Sequence, residues 1–428
     1  VNKETFSGAH PALSRALATK GYEAPTPVQA AMLDSEIGNR DVLVSAQTGS
    51  GKTVAYGIAM AETLLGTQER LKPSKKPLAL VVAPTRELAL QVQKELRWLF
   101  GSTGASVISC VGGMDIRTEA RALEQGGHIV VGTPGRLCDH LERGRLNLSA
   151  LQVVVLDEAD EMLDLGFREN LELLLSKAPE EKRTLLFSAT LPREIVQLAK
   201  RYQVNALQLN LVSKNKQHAD IDYQAFVVER HDIDHAVVNL LRYFDAPGAL
   251  VFCSTRERVR HLHGNLLERG FSVEALSGEL SQRERSRALQ SLRDGRARVC
   301  IATDVAARGL DLPDLGLVIH ADLPRGPETL LHRSGRTGRA GKKGVCALVV
   351  SSREKFRAER LVGAASLKVQ WLPAPSADVI NKQDEERLVK NLTAFVSDPT
   401  PEDLAVAKKL LKTQTPESLA AALVRMHR

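Results

Sequence analysis

Apolar residues fall into short continuous runs, each ending in a Gly or Ser/Thr turn and followed by a stretch with helical spacing. Val42-Leu43-Val44 leads through a glycine-rich turn into residues 54–65, and residues 78–83 lead through Thr85 into the amphipathic stretch 86–100. Residues 128–132, 153–156 and 184–187 repeat the theme. Half-exposed strands would alternate apolar with polar, whereas continuous runs between helices predict a parallel sheet covered on both faces. The theme then restarts at 249–253, 272–275, 298–302, 317–320 and 345–350. Two α/β domains in tandem are expected, over residues 1–211 and 221–372.

Between them, residues 212–220 include the polar, aperiodic run Ser213-Lys214-Asn215-Lys216-Gln217-His218-Ala219-Asp220, which reads as a linker. A second break is expected at Leu372-Pro373-Ala374-Pro375. Beyond it, Leu388, Leu392, Phe395 and Val396 fall at helical spacing. Thr400-Pro401-Glu402-Asp403 and Thr415-Pro416-Glu417-Ser418 each combine a Thr cap, a first-turn Pro and an acid near the positive helix end. Residues 376–428 are thus predicted to form a small all-helical C-terminal module.

Composition narrows the class. The chain has 428 residues, 43% hydrophobic and 25% charged, enough for buried cores in more than one domain and too apolar for a disordered chain. No run of roughly 18 apolar residues and no apolar signal core occurs, so a cytoplasmic protein without a membrane contact is expected. Cys110, Cys138, Cys253, Cys300 and Cys346 are scattered without a C-x-x-C pair, which speaks against a disulfide scaffold or zinc ribbon. The net charge of +7 leans toward a polyanionic partner. Val1 in place of Met, and an end at Arg428 without a basic extension, lead us to expect a trimmed chain.

Candidate chemistry lies at the strand ends. Ala46-Gln47-Thr48-Gly49-Ser50-Gly51-Lys52-Thr53 follows a strand and opens a helix, the setting of a Walker A loop. Backbone amides there wrap phosphate oxygens, Lys52 reaches the β and γ phosphates, and Thr53 ligates Mg²⁺. The run 153–156 delivers Asp157, suited to Mg²⁺ through water, and Glu158, suited to orient an attacking water. In the second half, His332-Arg333-Ser334-Gly335-Arg336-Thr337-Gly338-Arg339 spaces arginines among glycines, a pattern for a loop and helix aimed at anions.

With Asp157-Glu158-Ala159-Asp160 in place, residues 4–370 resemble the DEAD-box ATP-dependent RNA helicases. The resemblance implies two tandem RecA-like parallel-sheet domains, with ATP and Mg²⁺ as cofactors and RNA as partner. Gly21-Tyr22-Glu23-Ala24-Pro25-Thr26-Pro27-Val28-Gln29 is similar to the family's Q motif, with Phe6 its upstream aromatic. Gln29 then reads the adenine edge and Tyr22 stacks on the base. The resemblance assigns RNA contacts to Pro84, Thr85, Arg86, Gly112, Gly113, Thr133, Pro134, Gly135, Arg136, Gln282, Arg285 and Thr303. It makes Arg336 and Arg339 arginine fingers, Asp304 an acceptor for the ribose hydroxyl, and Ser188, Thr190 and His332 the coupling between ATP state and RNA. Ser277-Gly278-Glu279 stands where the family usually has His-Gly-Asp, and Ala321 where it usually has Tyr, departures that bear on RNA contacts in the second domain.

Lys52 and Glu158 lie in one domain, Arg336 and Arg339 in the other, so hydrolysis should require closure, and RNA bridging both should favour it. The expected function is RNA-stimulated ATP hydrolysis with local unwinding of short duplexes. An ATP-gated RNA clamp or RNP assembly scaffold would use the same residues. Without an aromatic RRM-like strand pair, affinity for RNA should be phosphate-driven and salt-sensitive. The tail, including 419–426, resembles the dimerisation region of bacterial cold-shock-type members, which implies a stress role and a homodimer through residues 376–428.

Overall fold

A computed structural model describes residues 6–34, 36–46, 49–211, 220–307, 315–338, 342–394 and 400–427, with the side chains of Gln282, Ala394 and His427 excepted. Each apolar run read above as a strand overlaps one. The chain divides into two compact units, residues 1–217 with 307–311, and residues 218–306 with 312–428. Linker residues 212–219 lie outside the described residues, as do Gln47, Thr48, Arg339, Phe395 and Val396.

The first unit holds β1 (Val42–Ser45), β2 (Ala79–Val82), β3 (Val107–Cys110), β4 (Ile129–Gly132), β5 (Val153–Leu156), β6 (Arg183–Ser188) and β7 (Leu207–Asn210). All pair in parallel, in the order β3-β4-β2-β5-β6-β1-β7. Successive strand residues point to opposite faces, and the core divides accordingly. Val42, Val44, Val81, Val155 and Phe187 pack on one side; Leu43, Leu80, Val154, Leu156 and Leu186 pack on the other.

The second unit holds β8 (Ile221–Val228), β9 (Ala249–Phe252), β10 (Val273–Leu276), β11 (Val299–Ala302), β12 (Leu317–His320), β13 (Gly344–Ser351) and β14 (Gln370–Pro373). Their order, β10-β11-β9-β12-β13-β8-β14, is the first sheet's order with every number advanced by seven. The helices that follow β2 and β9 even start alike. The hydroxyl of Thr85 accepts from Leu88 N at 3.3 Å and that of Thr255 from Arg258 N at 3.1 Å. In both units such turns gather at the C-terminal strand ends, the edge where open α/β sheets bind ligands.

The break expected at Leu372-Pro373-Ala374-Pro375 falls on β14. Pro373 ends this edge strand, a place where a missing N–H costs no ladder bond. The tail is helical as expected, over Ala377–Ala394, Pro401–Leu410 and Pro416–His427. Its first helix packs on the second unit's helix Ile233–Phe244. Ile380 is buried, Asp384 pairs with Arg242 at 2.5 Å, and Arg387 donates to the Arg242 carbonyl at 2.7 Å.

Candidate nucleotide and nucleic-acid sites

Beyond β1 the chain turns through Gly49 and Gly51, with φ of 83° and 86°, into the helix Lys52–Leu65. Glycine is required at Gly51 twice over: its φ is left-handed, and a Cβ would collide with Gln29 Nε2. Gln29 itself is buried. Its oxygen accepts from Thr26 N at 2.9 Å and its amide donates to the Gly51 carbonyl at 3.3 Å, while Thr26 Oγ1 donates to the Ser50 carbonyl at 2.8 Å. The segment read as an adenine reader thus also holds the glycine loop in shape. One N–H and one oxygen lone pair of the Gln29 amide remain by count.

Lys52 is buried. Its Nζ lies 2.8 Å from Glu158 Oε1 and donates to the Ala46 carbonyl at 3.3 Å. Burial works against the ammonium, but Glu158 and Asp157 outweigh it and hold the Lys52 pKa above its usual range. Asp157 has one oxygen accepting from Tyr56 Oη at 3.3 Å; the other, Oδ1, is buried without a partner. Burial pushes its carboxyl up to about 6 against the pull of Lys52. Glu158 caps the next helix from a left-handed backbone, φ 51°, a strained conformation that recurs at functional sites. Asp157 Oδ1, with Thr53 in the helix's first turn, is a hard-oxygen donor set that fits Mg²⁺.

Asp160 joins the third piece. Its Oδ2 accepts from Thr190 N at 2.8 Å and from Thr190 Oγ1 at 2.7 Å, and its own N–H donates to Ser188 Oγ at 3.3 Å. The hydroxyls read as coupling groups are therefore bonded to the acidic motif. Nothing local in the sequence links the two segments, and Asp160 was given no such role.

The loop after β3 gathers two of the predicted RNA-contact arginines. Arg86 Nη1 donates to the Gly112 carbonyl at 3.0 Å, and a Cβ on Gly113 (φ 75°) would lie 2.5 Å from that nitrogen. Arg136 follows Thr133, Pro134 and Gly135 in the first turn of the helix Pro134–Glu142, and its Nη1 pairs with Glu119 Oε2 at 2.7 Å. Pro84 and Thr85 lead into the helix Arg86–Leu99. Tyr22 stacks on Trp98 at 5.8 Å, with Phe6 edge-on to it at 6.2 Å, so its ring already packs on protein.

In the second unit, Thr303 and Asp304 follow β11, and Arg285 donates to the Ala306 carbonyl at 2.8 Å. Gln282 opens a helix, but its side chain lies outside the described residues. His332 sits in the last turn of the helix Pro327–Ser334, and Arg336 lies just beyond. The residue given no role is Arg333. It is 3% exposed, donates to Asp304 at 2.5 and 2.8 Å and to the Asp322 carbonyl at 2.8 Å, and lies 5.0 Å over the Phe252 ring. Asp304, assigned to a ribose, is held here by that guanidinium. Helical phase was the available signal, since Leu330, Arg333 and Ser334 share one buried face.

Residues 26–198 match the family described as DEAD/DEAH box helicase, and residues 234–341 match the helicase conserved C-terminal domain. The DEAD-box ATP-dependent RNA helicase CshA of Bacillus licheniformis is 37% identical over 417 residues, covering 97% of this chain and 84% of that protein. DEAD-box ATP-dependent RNA helicase 9 of Oryza sativa subsp. japonica is 41% identical over 358 residues, covering 83% of this chain and 56% of that protein. S. cerevisiae Dbp5 bound to RNA and ADP BeF3 aligns with a TM-score of 0.75 at 28% identity, covering 89% of this chain and 97% of that one. Mss116p bound to ssRNA and AMP-PNP aligns with a TM-score of 0.73 at 28% identity, covering 94% and 83%.

Proposed function

This chain belongs to the DEAD-box ATP-dependent RNA helicase family, and from that premise we propose how its residues carry out RNA-stimulated ATP hydrolysis and local unwinding of short duplexes. The observation that carries the reading is the buried Lys52–Glu158 pair beside an Asp157 oxygen without a partner. Lys52 exchanges Glu158 for the β and γ phosphates of ATP, and the exchange releases Glu158 to orient the attacking water. Its left-handed backbone fixes the direction of that carboxylate. Asp157, through water, and Thr53 would hold Mg²⁺, which would neutralise charge on the phosphate oxygens. Gln29 uses its remaining donor and acceptor on the adenine edge. Asp160, bonded to Thr190 and to Ser188 at the end of β6, passes the state of this site to both hydroxyls.

Arg336 and Arg339 supply positive charge to the γ-phosphate in the transition state, and His332 links that event to RNA. RNA is held by Pro84, Thr85, Arg86, Gly112, Gly113, Thr133, Pro134, Gly135 and Arg136 in the first unit and by Gln282, Arg285 and Thr303 in the second. Helix-start amides and guanidinium groups suit phosphates rather than base edges, so binding should be salt-sensitive and tolerant of sequence. The clamp alternative is not favoured by relatives that are named as helicases.

A homodimer through residues 376–428 is supported by apolar side chains exposed on the last two helices, among them Leu404, Leu410, Leu423 and Met426. The tail's likeness to cold-shock-type members supports a stress role. No described helix is long and apolar enough to cross a membrane. The likeness to the CshA helicases supports a cytoplasmic location. The test is ATP turnover with and without RNA, in wild type and Arg336→Ala. RNA should stimulate wild type, and the substitution should cost about 10³-fold in kcat. Equal wild-type rates with and without RNA would contradict the reading.

A further inference from the structure

Glu119 has been given no part in the reaction, yet it bonds to two of the segments read as RNA contacts. It lies on the helix Ile116–Gln125, and its carboxylate is buried, with 6% of the side chain exposed. Oε1 accepts from Val111 N, the first amide beyond β3, at 2.9 Å. Oε2 accepts from Arg136 Nη1 at 2.7 Å and faces His140 Nε2 at 2.8 Å. Arg136 and His140 are one turn apart on the helix Pro134–Glu142. One carboxylate therefore ties the loop after β3 to the helix after β4.

The loop 111–114 is fixed at three points. Val111 N is held by Glu119, the Gly112 carbonyl by Arg86 at 3.0 Å, and the Met114 carbonyl by Arg136 at 3.4 Å. A guanidinium gripped along one edge keeps its planar fork in a single orientation, and its remaining N–H groups are preorganised for an anion. Cys110, Glu119 and His140 have the residue types of a metal site, with ligand atoms within 4.8 Å of one another. Arg136, at 2.7 Å from the same carboxylate, already supplies the positive charge there, so the geometry favours a positioning role.

We propose that Glu119 is a positioning residue for the RNA backbone, holding Arg136 and the loop 111–114 in the arrangement that phosphates meet. The proposal rests on the reading of Arg136 as an RNA contact. It acts on RNA binding and leaves the ATP site alone, because none of the Glu119 partners belongs to the Lys52–Glu158 group. Glutamine is a poor substitute: its amide must turn N–H groups toward either Val111 N–H or the Arg136 and His140 donors.

The experiment measures RNA-stimulated ATP hydrolysis by the full chain, with a single-stranded RNA of fixed sequence. The variants are Glu119→Ala, Glu119→Gln, Arg136→Ala and the double variant Glu119→Ala/Arg136→Ala. Glu119→Ala should raise KM for RNA about tenfold, with kcat at saturating RNA and KM for ATP within about twofold of wild type. The effects in the double variant should fall well short of the product of the two single effects, because Glu119 acts in part through that arginine. The slope of log affinity against log salt should fall by about 0.7 in Glu119→Ala, as for one lost phosphate contact on a single strand. Glu119→Gln, the same size, should show the same split with a smaller change, which guards against misfolding of the alanine variant. If Arg136→Ala leaves KM for RNA unchanged, the reading of Arg136 fails and the proposal falls with it. If Arg136→Ala raises KM but both Glu119 variants are silent, or the two effects multiply in the double variant, the proposal alone is overturned.

Discussion

The two units share one strand order and differ in how completely charge is satisfied at the strand ends. Asp157 and Glu158 follow β5 where Ala321 and Asp322 follow β12. In the first unit Asp157 keeps a buried oxygen without a partner, whereas Asp322 accepts the backbone N–H of Ser254 at 2.7 Å. Among the described residues, each unit also buries a cation at the C-terminal strand ends, Lys52 in the first and Arg333 in the second. Lys52 has a single carboxylate and one carbonyl. Arg333 has both oxygens of Asp304, the Asp322 carbonyl and the face of Phe252. A point charge on a flexible stem can change partners, while a planar fork held on several sides cannot. The same chassis thus yields an exchangeable pair where phosphate must enter and a locked pair where shape must be kept.

The largest effects should separate along that line. Lys52→Ala should lower RNA-stimulated kcat by about 10³-fold while leaving the melting temperature within a few degrees, because the neighbouring carboxyls can discharge by taking up a proton. Arg333→Ala strands Asp304 and the Asp322 carbonyl and should cost about 3 kcal/mol. For a domain of this size each kcal/mol is worth about 2–4 °C, so the thermal shift is easily read. Arg333→Lys should recover little of it, since an ammonium cannot make the paired bonds. Equal melting losses for Lys52→Ala and Arg333→Ala would erase the distinction between exchangeable and locked pairs.

Both pairs join residues far apart in the chain, and that separates what the sequence carried from what it did not. The glycine loop, the acidic motif and the arginine series were legible because each is local: a strand, a turn and a helix start that must be contiguous to work. Lys52–Glu158, Asp160–Thr190 and Glu119–Arg136 are bonds between such motifs, and a linear pattern holds no term for them. Buried strands were legible for a similar reason, since burial on both faces forces unbroken apolar runs. β7 (Leu-Gln-Leu-Asn) and β14, with its proline, escaped notice as edge strands whose polar residues are tolerated. β8 escaped too, because Ile221-Asp222-Tyr223-Gln224 alternates at its start. Arg333 looked like one more anion-seeking arginine until its helical face was known.

Arg86 and Arg256 sharpen the comparison at smaller scale, since each follows the matching Thr cap and faces a glycine across the next strand's loop. The fit is closer in the first unit. A Cβ at Gly113 would lie 2.5 Å from Arg86 Nη1 on a backbone of φ 75°, whereas a Cβ at Gly278 would lie 3.3 Å from Arg256 Nη2. The Arg256 side chain is 59% exposed and able to yield. Gly113→Ala should therefore cost about 1–2 kcal/mol from the left-handed backbone alone and raise KM for RNA severalfold by displacing Arg86. Gly278→Ala should change stability by less than about 0.5 kcal/mol, as at an ordinary surface site. Chemical denaturation of the two variants in parallel provides the readout, and matching losses would show that the two loops are built to one tolerance.

The smallest effect tests the incomplete satisfaction at Asp157 itself. Burial raises its folded pKa to about 6, above the unfolded value of about 3.9. The folded state therefore binds this proton more tightly than the unfolded chain does. The stability the protonated group contributes is fully present below about pH 4 and is lost as pH rises through about 6. Asp157→Asn mimics the protonated form and keeps an oxygen for Tyr56 Oη. Its melting temperature relative to wild type should climb between about pH 4 and pH 6 and then level off. The amide N–H groups that replace Oδ1, an atom without a partner, offset part of the gain, leaving about 1 kcal/mol, or 2–4 °C, at pH 7. Thermal melts across that range, in buffers without divalent cations, measure the difference directly. Parallel curves for the two proteins would mean that Asp157 is as well satisfied as Asp322 after β12, and the contrast between the units would then rest on the lysine alone.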